Sequence, residues 1–222
     1  MYCMTSAAVA LPCKRFGDVR ARGTMPKVLS ESSGLVASVR QPGVLFTHND
    51  SGDEPRIFAI DRSGALLSEH DVKDADADDW EDIAYGPCAE APTCLFIGDV
   101  GDNGAGRGHV DVYRVAEPVA GDDGKTQAAI KLKLEYPDGA RAVEAIMVDP
   151  LAGDLFLIEK PEPHRVTVLR RASALPAGRY VLAALGEVAF AGLLTAADLA
   201  PLGDEAILRG YDPAAWRYDV LR

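Results

Sequence analysis

The sequence predicts an all-β chain of radially arranged four-stranded antiparallel blades, a β-propeller, on three observations. Short runs alternate apolar and polar residues at period two, the spacing of half-buried strands. These runs fall into units whose opening acids, Glu31, Glu81, Glu144 and Asp198, recur at intervals of 50, 63 and 54 residues, a period suited to one propeller blade. Turn residues are abundant, with 21 Gly and 14 Pro in 222 residues, whereas apolar positions at three- and four-residue spacing are nowhere sustained, which excludes a helical solenoid.

The first unit opens at Glu31-Ser-Ser-Gly and continues through strand-like runs at 43–50, 56–60 and 65–72. The second opens at Glu81-Asp-Ile-Ala-Tyr and continues through 94–99, 109–113 and 130–136. The third opens at Glu144-Ala-Ile-Met and continues through 154–159, 165–169 and 180–190. The fourth opens at Asp198-Leu-Ala-Pro, continues through 205–211 and reaches 217–221 in its third strand. Residues 193–202 read as one helical turn stopped by Pro201 and Gly203. The blades thus fall near 31–73, 80–137, 143–190 and 195–222, within a propeller domain over 26–222 that follows a poorly ordered segment over 1–25. Two closures stand open. Residues 26–30 supply the outermost strand of the fourth unit, or the chain is part of a larger propeller, which is the favoured reading.

Composition limits the partners. Thirty-four Asp and Glu against 23 Lys and Arg leave a net charge of −11, and no basic run exists to neutralise a phosphate backbone, so nucleic acid is not an expected partner. No apolar run approaches the roughly 18 to 20 residues of a membrane span. The apolar patch at residues 7–11 lacks a preceding basic region, so no intact signal peptide is expected in the chain. The four cysteines form two close pairs, Cys3 with Cys13 and Cys88 with Cys94, without metal-type Cys-x-x-Cys spacing. Cys88 and Cys94 flank a turn-like stretch and either staple it or remain thiols.

In a propeller the innermost strands line a central channel, which would bring Glu31, Glu81, Glu144 and Asp198 together as a carboxylate ring. Such a ring repels itself, and a hard cation with oxygen ligands, calcium or another divalent ion, relieves the repulsion. The alternative is that each acid caps a turn or pairs with an arginine. Two polar loops, His48-Asn-Asp-Ser-Gly52 and Gly98-Asp-Val-Gly-Asp-Asn-Gly104, follow apolar strands at one end of neighbouring blades. They add His48, Asn49, Asp50 and Asn103 as candidate ligand residues beside Glu31 and Asp82. Glu81, Asp99, Asp102, Glu144 and Asp198 are the candidate metal ligands. The run Asp74, Asp76, Asp78, Asp79 is not an EF-hand, because position 6 is Asp79 and position 12 is Tyr85, and it reads as a solvated acidic loop. No Gly-x-Ser-x-Gly elbow, His-Glu-x-x-His or Walker loop occurs.

The strings Glu31-Ser-Ser-Gly, His48-Asn-Asp-Ser-Gly52, Trp80-Glu-Asp-Ile-Ala84, Gly98-Asp-Val-Gly-Asp-Asn103 and Thr195-Ala-Ala-Asp198 resemble a group of bacterial β-propeller proteins. That group is similar in architecture to the six-bladed TolB-like and phytase-like propellers. The resemblance implies six blades, an extracytoplasmic location and polar strings near the channel, and it implies no particular reaction. Val143 departs from the acid expected before Glu144. The leading expectation is a binding module for a divalent cation and a small polar molecule. Alternatives are a metal-dependent hydrolase of phosphoester, ester or lactone substrates, with His48 or Glu81 as base, and a protein-interaction scaffold.

Overall fold

The computed structural model describes residues 2–3, 11–12, 20–214 and 217–221. Strand β1 (Tyr2–Cys3) pairs antiparallel with β2 (Leu11–Pro12). Four larger sheets follow in chain order. The first contains β3 (Ser32–Ala37), β4 (Val44–Asn49), β5 (Arg56–Asp61) and β6 (Leu66–Asp71), each antiparallel to the one before. The second contains β7 (Trp80–Gly86), β8 (Cys94–Asp99) and β9 (Val110–Ala116); after the short β10 (Gly124–Lys125) it is completed by β11 (Ile130–Glu135). The third contains β12 (Val143–Val148), β13 (Leu155–Glu159) and β14 (Arg165–Leu169); after β15 (Gly178–Val181) it is completed by β16 (Ala183–Glu187). The fourth contains β17 (Leu193–Leu199), β18 (Ala206–Asp212) and β19 (Arg217–Leu221). Strands β3, β7, β12 and β17 pack side by side in that order, so each sheet is a propeller blade with its first strand innermost. Among the described residues the only helical turn is a 3-10 turn at Ala172–Ala174.

The blades are held by apolar layers between their faces. Val36, Phe46 and Ile57 of the first blade meet Trp80, Ile83 and Leu95 of the second. Phe96, Val112 and Leu132 meet Ile146, Leu155 and Leu157 between the second and third. Ala145, Met147 and Ile158 meet Leu194, Ala197 and Leu208 between the third and fourth. Strand β8 is covered on both faces and is buried at all six positions, whereas β16, on an outer edge, is exposed along its length. Arg114 adds a polar tie. Its guanidinium is 1% exposed, pairs with Glu90 and donates to the carbonyls of Ala172 and Leu175 in the third blade. The Cys88–Cys94 disulfide closes the loop that carries Glu90.

Three expectations are corrected. Residues 193–199 form the inner strand β17, because the ladder with β18 satisfies their backbone while Leu194 and Ala197 pack on the third blade. Residues 26–30 turn instead of pairing with the fourth sheet: the Leu29 N–H donates to the Pro26 carbonyl at 3.0 Å, and Leu29 packs on Phe58 and Ile60 of the first blade. The expected strand over 180–190 is divided. Strand β15 leaves the third blade and lies parallel to β11 of the second, with Gly178 level with Leu132, and only β16 completes its own sheet. Strand β10 does the same one blade earlier, lying parallel to β6. In both cases the connection before a blade's last strand covers the open edge of the preceding blade, which removes an unpaired ladder. The pairing of Cys3 with Cys13 lies outside the described residues.

Candidate functional site

All four inner strands carry a β-bulge near their start, at Ser32/Leu35, Trp80/Asp82, Val143/Ala145 and Leu194/Ala196. A bulge inserts a residue that faces no partner and re-aims the side chains around it. The inserted positions correspond to Ser33, Glu81, Glu144 and Thr195. The ring expected from Glu31, Glu81, Glu144 and Asp198 therefore does not form. Glu31 is level with Asp79, and Asp198 is level with Ala84, three residues further along its strand.

What assembles instead is a smaller cluster. Asp50 at the end of β4, Asp79 just before β7 and Glu81 in the bulge each offer a carboxylate oxygen, and the three oxygens lie within 4.8 Å of one another. Glu81 is 4% exposed. Burial, reinforced by Glu144, Asp50 and Asp79 and opposed by Lys160, pushes its carboxyl up to about 9. Asp79 is raised by the same burial and by Asp50. Glu144 is ion-paired with Lys160, whose ammonium also donates to Asn103 Oδ1 at 3.3 Å. Gly101 closes one side of the cluster. A side chain there would meet the Asp79 carboxylate and lie 2.5 Å from Glu81 Oε1, so any larger residue must displace these two carboxylates.

The other expected residues support the cluster from behind or stand apart from it. Asp99 is fully buried, accepts the Asp78 and Asp79 N–H groups at 3.2 and 3.1 Å and pairs with Arg107 at 2.8 Å, so its oxygens hold the loop that delivers Asp79. Asp102 accepts the Gly106 and Arg107 N–H groups at 2.9 and 2.7 Å and organises its own turn. Asn49 donates to the Val28 carbonyl at 2.8 Å and to Asp53 at 2.6 Å, fastening the N-terminal segment to the first blade. Glu31 is exposed, and its carbonyl accepts the Asp50 N–H at 2.9 Å.

His48 is 0% exposed. Its Nδ1 lies 2.8 Å from the Asn49 carbonyl, its ring stands edge-on to Trp80 and its Nε2 abuts Gly34. Burial lowers its basicity. It packs between the first two blades with no exposed surface. Asp82 is 1% exposed and works as a junction: Oδ1 accepts the Ile83 N–H at 2.9 Å, and Oδ2 accepts Ile146 N–H from the third blade at 3.0 Å and Ala197 N–H from the fourth at 3.4 Å. Its burial outweighs those amides and raises the carboxyl to about 8.

Sequence reasoning missed Asp79, Lys160 and Gly101. Nothing in the run Asp74, Asp76, Asp78, Asp79 distinguishes the acid that turns inward, except that Asp79 abuts the apolar strand. Lys160 was legible from register, because it follows Glu159, the partner of Val143 beside Glu144.

No known protein-family description matches the chain. No curated protein matches it either. Among solved structures, the chain is similar to the β-propeller domain of Myceliophteria thermophila Cps50 (Swd1), at 11% identity and a TM-score of 0.43, covering 86% of this chain and 53% of that one. It is similar to Kuenenia stuttgartiensis hydrazine synthase at 16% identity and a TM-score of 0.41, covering 81% and 55%. It is similar to U3-55K at 11% identity and a TM-score of 0.42, covering 80% and 60%. The chain spans little more than half the length of these structures. Its own sheet order and blade packing establish the propeller fold.

Proposed function

We propose that this chain is a binding propeller whose polar channel mouth holds a divalent cation, calcium foremost, through Asp50, Asp79 and Glu81, with Glu144 alongside. One observation carries the reading: three carboxylate oxygens from two blades lie within 4.8 Å of one another, while the nearby Lys160 is paired with Glu144. An all-oxygen donor set suits calcium, magnesium or manganese over softer ions. A bound dication also offsets the burial and the mutual repulsion that together raise the Glu81 carboxyl. The Cys88–Cys94 disulfide supports an oxidising, extracytoplasmic setting. No described helix is long and apolar enough to cross a membrane.

The test is a melting experiment in chelator and in millimolar calcium, with elemental analysis of the purified protein. Calcium is expected to raise the midpoint by several degrees in wild type and to leave Glu81→Gln unmoved. Identical melts in chelator and calcium for wild type overturn the cation.

A further inference from the structure

The opposite end of the channel has a different chemistry. A cavity of about 410 Å³ opens where all four inner strands end. Tyr85, Val148 and Leu199 stand four residues beyond their bulges, and Pro87, Pro150 and Pro201 stand six residues beyond; together they supply six of its fourteen lining residues. The volume lies within the range of small-molecule sites.

The polar atoms of this wall are largely occupied. Ser38 Oγ, Tyr85 Oη and Thr93 Oγ1 donate to the carboxylate of Glu117, at 2.5, 2.8 and 2.8 Å. The exception is Asp198, the one charged residue of the lining. It sits solvent-exposed at the lip, and one of its oxygens accepts the neighbouring Leu199 N–H at 2.9 Å. Among the described residues no cation pairs with it.

We propose that this cavity binds a small organic cation, an ammonium group carried on an aromatic or aliphatic body, with Asp198 receiving the charge and the proline-lined wall receiving the body. The apolar wall supplies burial without polar competition. The lone carboxylate selects a cation over a neutral or anionic analogue of equal size, because a charge-assisted hydrogen bond is stronger than a neutral one. The net charge of −11 adds a long-range bias of the same sign. This inference does not depend on the cation at the other mouth, since none of that cluster's residues lines the cavity.

Tryptamine and its neutral counterpart tryptophol serve as probes by isothermal titration to the wild-type chain, to Asp198→Asn and to Glu81→Gln. Saturable one-to-one uptake of tryptamine is expected, about fivefold tighter than tryptophol. That preference is expected to vanish in Asp198→Asn and to persist in Glu81→Gln. Equal affinity for amine and alcohol on wild type, no saturable uptake, or loss of the preference in Glu81→Gln instead of Asp198→Asn overturns the proposal. The amine-against-alcohol arm uses wild type alone and stands even if a variant misfolds.

Discussion

The two ends of the channel each bury a carboxylate, and the two acids are shifted in opposite directions. At the polar mouth Asp82 accepts three backbone N–H groups, the farthest at 3.4 Å, and is raised to about 8 by burial. At the apolar mouth Glu117 accepts hydrogen bonds from Ser38, Gln41, Tyr85 and Thr93; burial raises it, but these donors win and hold it below its ordinary value. The difference shows that burial alone does not set the charge of an interior acid. The number and closeness of aimed donors decide it. Asp82 is a junction that tolerates a proton, whereas Glu117 is an anion locked between the first two blades.

The largest effect is expected at Asp82. Replacement by Ala strands the Ile146 and Ala197 N–H groups where three blades meet and is expected to cost about 3 kcal/mol or more in urea unfolding. Asp82→Asn, which keeps an acceptor oxygen, is expected to cost less than half of that. A cost equal to that of Ala shows that the charge is what matters there. At the other end, Glu117→Ala leaves four donors without their acceptor and is expected to cost about 2 to 3 kcal/mol.

The pH dependence separates the two ends further. Because the folded value of Glu117 lies below its unfolded 4.5, its contribution is fully present above that pH. It is lost as pH falls through the folded value, so the acid limb of the stability curve is expected to flatten in Glu117→Gln. Glu81 has the opposite sign. Its folded value near 9 lies above its unfolded 4.5, so stability without metal declines as pH rises through that window. Glu81→Gln is expected to lessen the decline, the remainder belonging to Asp82, which is raised to about 8, and to gain at least about 1 kcal/mol at pH 8 in chelator. A wild-type curve that is flat from pH 5 to 9 counts against the buried carboxylate cluster. The smallest effect is expected at Asp198, which is exposed although the surrounding wall raises its carboxyl to about 6; Asn is expected to shift stability by under about 1 kcal/mol. A larger loss there identifies a structural role for the acid.

Much of the blade pattern was legible in the sequence because period-two alternation reports directly on which face a residue presents to the next sheet. Phe46, Phe96 and Leu157 mark second strands in this way without reference to anything distant. The edge-covering strands were not legible. Strands β15 and β16 read as one run because a single residue, Leu182, separates them, and which edge each joins depends on a neighbouring blade. Of the expected site residues, Asp50, Glu81 and Glu144 share one mouth, and Asp198 belongs to the other.

The chain's own order of residues determined that it is all-β, roughly where each blade begins, and that acids cluster near the inner strands. Which acids meet was decided only in three dimensions. A side chain's face follows from local parity, but its height along the channel follows from where a bulge falls and how adjacent strands are registered. A one-residue insertion shifts the side-chain parity beyond it and moves a carboxylate by a whole strand position, so the height of an acid does not follow from counting the apolar pattern. For that reason Ser33 and Thr195, not Glu31 and Asp198, stand level with Glu81.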